Sequence, residues 1–171
     1  MNRIQDLGAL IALVLLVIVI GIISPEFRTV GNFLSLLRQS SINGLIAFGM
    51  TCVILTGGID LSVGSVLALS TALCAGMISG GVPVGLAMIL ALVIGTGLGA
   101  VSGVLVTTGR LQPFIATLVT MTVYRGLTMI YMDGKPISDL GDSFTLKLIG
   151  KGNFYHIPIA VILFLVIFGI F

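Results

Sequence analysis

Apolar residues run unbroken from Leu7 to Ile23, about 17 positions, the lower limit for a helix crossing roughly 30 Å of hydrocarbon. The run stops at Ser24-Pro25-Glu26, and no small-x-small cleavage site follows it, so an uncleaved first span is expected instead of a signal peptide. Phe27 to Ser41 mixes Phe33, Leu34, Leu36 and Leu37 with Arg28, Asn32, Arg38 and Gln39, a pattern that suits a short interfacial helix. Ile42–Leu55 is apolar but only about 14 residues, short for a lone span. A polar, glycine-punctuated stretch, TGGIDLSVGS from Thr56 to Ser65, separates it from Val66–Ile78, which is short again. After the turn Ser79-Gly80-Gly81-Val82-Pro83, Val84–Val106 makes a full-length span, and Thr107 to Arg110 a polar loop. Leu111–Tyr131 follows, with Pro113 in its first turn, where a missing N–H marks a helix start. Asp133 to His156 is a polar extramembrane loop, and Ile157–Phe171 opens a last apolar segment of about 15 residues.

These periods predict an all-α fold: a polytopic transmembrane helical bundle with short or broken helices around residues 56–65, all within one transmembrane domain over residues 1–171. The final segment falls short of a full crossing and no polar tail follows, so the sequence is expected to be part of a longer chain. With the N-terminus in the cytoplasm, alternation places the break and Thr107–Arg110 inside, and Phe27–Ser41, Ser79–Pro83 and the long loop outside. Arg3 and Arg110 then fall inside but Lys135, Lys147 and Lys151 outside, so charge alone is ambivalent about orientation.

Composition agrees with a lipid solvent, since 57% of the 171 residues are hydrophobic and 8% charged, against about a quarter charged in soluble domains. A net charge of +2, scattered along the chain, predicts neither a nucleic-acid surface nor a polybasic lipid patch; membrane lipid is the expected surrounding. Cys52 and Cys74 lie in apolar stretches without ligand-like spacing, so no metal site is predicted and both are expected as buried packing residues. His156 is expected as a solvated loop residue. The chain lacks a G-x-x-x-x-G-K-[ST] phosphate loop and any grouped nucleophile, base and orienter. No catalytic residue and no cofactor is therefore expected, and any ATP hydrolysis falls to a partner.

In hydrocarbon every backbone polar group must find a partner, so a non-helical stretch between undersized apolar segments is tolerated only inside protein or beside water. Thr56–Ser65 is thus a candidate lining element, aiming a helix N-terminus at a polar cavity. Asp60 and Ser62 suit capping of the following helix; a direct part in a transport path is the alternative, and the two are compatible. Thr117, Thr120, Tyr124 and Thr128 recur at spacings of three and four as one polar stripe, with Arg125 about 100° around the helix. The stripe fits interhelical hydrogen bonding or a solute-facing lining. Arg125 lies close enough to Tyr131 for its side chain to snorkel to the interface. Gly95, Gly99 and Gly103, four apart, predict close helix packing.

The strings SPEFRTVGNFLSLLRQSSINGLIAFGMTCVILTGGIDLSVGSVLAL and GRLQPFIATLVTMTVYRGLTMIY resemble the N-terminal half of the permease subunit of ribose-type ABC sugar importers, the likeness covering most of residues 24 to 136. The resemblance implies a permease in the bacterial cytoplasmic membrane that pairs with a second permease copy, as homo- or heterodimer. It also implies that an extracytoplasmic binding protein delivers ribose or a related monosaccharide and that a separate ABC ATPase subunit drives the cycle. Gly58, Asp60, Leu61, Ser62 and Gly64 carry over as signature positions and candidates for the translocation path. Family members are roughly twice as long. The rival expectations are an ABC permease for a galactoside, autoinducer or branched-chain amino acid, an ion-coupled secondary carrier, for which broken helices also serve, or a non-transporting membrane scaffold.

Overall fold

The first helix, α1 (Gly8–Ile23), is apolar all round, and Leu7 to Val19 stand exposed without a buried position among them, as a lipid-facing segment requires. Pro25 begins a short 3-10 turn, Glu26–Arg28, and Thr29 then caps the next helix, its hydroxyl accepting the Asn32 N–H at 3.2 Å. In this computed structural model, which describes residues 7–138, 140–141, 146, 150, 152–154 and 157–170, six helices make up nearly all of the fold.

That second helix, α2 (Val30–Leu55), is one continuous element, where the hydrophobic pattern suggested an interfacial helix to Ser41 and a separate short span. Its polar positions are absorbed without a break: the Ser35 and Ser41 hydroxyls bond back to the Gly31 and Leu37 carbonyls, the Asn32 amide donates to the Phe27 carbonyl at 3.0 Å, and Arg38 reaches Asn153 at 3.4 Å. The helix closes on a Schellman motif, Gly58 N–H to the Val53 carbonyl and Gly57 N–H to that of Ile54. Gly57 takes the required left-handed conformation, φ 77°.

Helix α3 (Val63–Ser79) therefore starts three residues earlier than the apolar run beginning at Val66, and the non-helical break narrows to residues 56–62. After the turn at Gly80 and Gly81 come α4 (Val84–Thr107) and α5 (Pro113–Tyr131), the latter with Pro113 at its first position as expected. These two are long and apolar enough to cross a membrane, while α1, α3 and α6 (Ile159–Ile170) are shorter apolar helices. A two-residue antiparallel ladder, β1 (Asn153–Phe154) with β2 (Ile157–Pro158), precedes α6. His156 and much of the polar loop lie outside the described residues.

Helix α3 packs against both α4 and α5, which also touch each other, and α2 pairs with α6. Phe48 stacks on Phe164 with centroids 5.5 Å apart, and Phe168 completes the cluster. Gly44, one turn earlier on α2, gives the Phe164 ring its place. Cys52 is exposed, contrary to the expected buried packing role, because it lies one turn past Phe48, beyond the last ring that covers this face; Cys74 is half-buried. Both are free thiols.

Candidate functional site

The break between α2 and α3 is sunk into the bundle. The side chain of Ser62, immediately before α3, has no exposed surface. Its hydroxyl stands 3.4 Å from that of Ser102, which lies about one and a half turns short of the end of α4. Ser102 in turn donates to Thr120, about two turns into α5, at 3.0 Å. The short α3 thus starts well inside the level at which its neighbours end, and the break fills the space left over.

Asp60 organises the break. Its Oδ1 accepts the Ser62 N–H at 2.7 Å and the Ser62 hydroxyl at 2.6 Å. The capping expected of both residues is therefore divided differently. Asp60 satisfies the amide of Ser62 itself, and the Ser62 side chain, turned towards that carboxylate, accepts no N–H from the first turn of α3. Ser65 folds back onto the Ser62 carbonyl at 2.7 Å, and the Ile59 carbonyl accepts from Thr117 on α5 at 3.2 Å. A carboxylate is an acceptor only, so Ser62 must donate to it. Ser62 and Thr120 thus compete for the one proton of Ser102, which bonds Thr120 at 3.0 Å and meets the Ser62 oxygen only at 3.4 Å.

A cavity of about 240 Å³ opens on this arrangement where the end of α2, the break, the end of α4 and the start of α5 meet. Of the signature positions, Gly58 and Asp60 line it, while Ser62 lies buried behind it. Leu61 and Gly64 face a separate groove between α3 and α5, together with Met121 and Arg125. Of the polar stripe, Thr117 reaches the cavity. Thr120, Tyr124 and Thr128 are buried between helices, with Tyr124 donating to the Leu98 carbonyl of α4 at 2.9 Å and Thr128 to that of Tyr124 at 2.8 Å. Arg125 is exposed, on a different side of α5 from the buried stripe.

Among the three glycines, Gly95 makes the close approach: a Cβ there would stand 3.1 Å from the Ser70 hydroxyl of α3. Gly99 and Gly103 meet no neighbour within 4 Å and border the cavity, so in this chain they shape its wall instead of a helix contact. The break, sinking one end of α3, withdraws the surface they would pack on. Ser102 is the residue that sequence reasoning passed over. Its only signal was a hydroxyl alone in the apolar run between Gly99 and Gly103, where an unpartnered hydroxyl in hydrocarbon would be costly.

No metal-binding cluster of His, Cys, Asp and Glu occurs among the described residues. The apolar helices, the sheltered break and the cavity beside it define an integral membrane protein of the helical-bundle class. Comparison with known proteins is more specific: the chain belongs to the family described as branched-chain amino acid transport system, permease component, matched over residues 32–171. It is 54% identical over 166 residues to the ribose import permease protein RbsC of Bacillus subtilis, covering 97% of this chain and 52% of that protein. It is 49% identical over 164 residues to its namesake in Haemophilus influenzae, covering 94% and 50%, and 38% identical over 162 residues to the D-allose transport system permease protein AlsC of Escherichia coli, covering 94% and 49%. The chain spans about half the length of these curated relatives. No solved structure matches it.

Proposed function

We propose that this chain forms half of the membrane-spanning permease component of an ATP-driven importer for ribose or a related monosaccharide. The observation that carries the reading is the 54% identity to a ribose import permease across nearly the whole chain. Identity is lower to the permeases named for other sugars, 38% for D-allose and 34% for galactofuranose, which favours ribose within the class. In this reading the protein lies in the bacterial cytoplasmic membrane and pairs with a second permease copy. An extracytoplasmic binding protein delivers the sugar, and a separate ATPase subunit hydrolyses ATP. Alternating access then follows from partner contacts that bias inward- and outward-facing states of one bundle. The helix break, bordered by a cavity and tied to α4 and α5 by single hydroxyl contacts, suits an element that shifts between two arrangements. The description of its family favours a branched-chain amino acid as a second substrate class.

The test is energetic. Proteoliposomes holding the full-length permease, its ATPase and its binding protein are expected to take up ribose only with ATP inside reach of the ATPase. Uptake driven by an ion gradient in the absence of the ATPase would refute the importer assignment, and leucine taken up in preference to ribose would move it to the second substrate class.

A further inference from the structure

We propose that the cavity at the break is a binding cup for a neutral, polyhydroxylated solute, with the free carboxylate oxygen of Asp60 as its anchoring acceptor; this rests on the sugar-import reading above. Both hydrogen bonds to Asp60 fall on Oδ1 and come from Ser62. Oδ2 receives none among the described residues and is not a buried unsatisfied atom, so it is accessible, and Asp60 lines the cavity.

The hydroxyls around it present lone pairs, since Thr56 and Thr107 have their protons directed at the carbonyls of Val53 and Gly103, and Thr117 shares its proton between the carbonyls of Pro113 and Ile59. The side chains therefore offer acceptors only. The backbone of the break holds available donors, since Ile59 and Asp60 both line the cavity and their N–H groups make no hydrogen bond among the described residues. A hydroxyl group donates and accepts at once and matches both sets. A cation would satisfy the carboxylate but leave the two N–H groups without an acceptor, and an anion would face the Asp60 carboxylate across a partly apolar wall, where fields act strongly. Neutral polyols fit, and sugar acids or sugar phosphates do not.

The experiment uses membranes containing the whole transporter, with Cys52→Ser and Cys74→Ser removing the two thiols of this chain, any cysteines elsewhere in the transporter replaced as well, and Thr107→Cys placing a probe on the cavity wall. Cationic methanethiosulfonate is expected to modify it faster than the anionic reagent, on the order of tenfold, with the ratio falling towards one in Asp60→Asn. Free ribose is expected to slow modification, and ribose phosphate to leave it unchanged. Equal rates for the two reagents, insensitivity to Asp60→Asn, or protection by ribose phosphate equal to that by ribose would each overturn the cup. So would a lack of reaction at both Thr107→Cys and Thr56→Cys, since the cavity would then be closed to water. ATP-driven uptake measured on the same membranes separates the two readings. Uptake that persists without the charge preference sinks the cup alone, and a charge preference with ATPase-independent uptake sinks the importer alone.

Discussion

The Ser102 hydroxyl of α4 donates to Thr120 of α5 across 3.0 Å, and both residues are buried. The contact sits where three helices meet, with Ser62 of the break on the other side of Ser102. Ser102→Ala removes the hydroxyl that stands between Ser62 and Thr120 and donates to Thr120, and is expected to lower stability by about 1 kcal/mol, the usual net worth of such a bond. Thr120→Val alone should cost a similar amount, but the double variant should cost less than the sum, because the second change removes a bond already lost. Denaturation of the detergent-solubilised protein measures all three. Strict additivity would mean that the contact contributes nothing.

The glycine pattern on α4 separates into two kinds of position. Gly95→Ala puts a methyl 3.1 Å from the Ser70 hydroxyl, which must move, whereas Gly99→Ala enters open space. Alanine is favoured over glycine within a helix by roughly 1 kcal/mol. Gly99→Ala is therefore expected to raise the melting temperature and Gly95→Ala to leave it unchanged or lower it. Equal gains at both positions would show that α3 and α4 do not approach closely at Gly95.

This division shows where sequence is a sufficient guide and where it is not. Spans such as Val84–Thr107 were legible because twenty or so apolar residues have one solution in lipid, and the break was legible because GGID cannot continue a helix cheaply. Equal spacing of Gly95, Gly99 and Gly103 announced one face, but which part of the face has a neighbour depends on how deep α3 starts, which only tertiary packing decides. Fusion of residues 30–55 into one helix was hidden for a related reason. Asn32 and Arg38 read as an interface, but their side chains reach Phe27 and Asn153 while the backbone helix runs on. Ser102 was hidden because a single serine in an apolar run carries no period.

On the other side of the molecule, Phe48 and Phe164 hold α2 and α6 together with nearly parallel rings, 12° apart. Replacing either by leucine keeps apolar bulk while losing the stack. A double-mutant cycle is expected to return a coupling of about 0.5–1.5 kcal/mol. A coupling of zero would mean that the pair contributes only bulk.

Glu26, exposed in the connection between α1 and α2, has its carboxyl held below the ordinary glutamate range, first by its own backbone N–H and then by the Ser24 hydroxyl at 3.1 Å, with burial opposing weakly. A depressed carboxylate contributes stability that is present above its unfolded pKa and lost as pH falls through the folded one. Ser24→Ala should raise the Glu26 titration midpoint towards the ordinary value and shift this loss to higher pH. Carbon-13 titration of the Glu26 carboxyl checks it; an unchanged midpoint would leave the backbone N–H as the whole cause.

Asp60 carries the sharpest contrast, because its two carboxylate oxygens are used differently. Oδ1 holds the buried Ser62 through two short bonds, which an asparagine carbonyl can also accept, while alanine leaves an amide and a hydroxyl of Ser62 without their acceptor. Asp60→Ala is expected to destabilise the fold by roughly 2–3 kcal/mol, and Asp60→Asn by much less. Transport should not follow the same order. If the second oxygen and its charge act in the cavity, Asp60→Asn gives a folded protein with impaired uptake, so folded yield and uptake part company in that variant alone. Normal uptake by Asp60→Asn together with a damaged fold in Asp60→Ala would reduce Asp60 to an organiser of the break, satisfying Ser62 without ever meeting the solute.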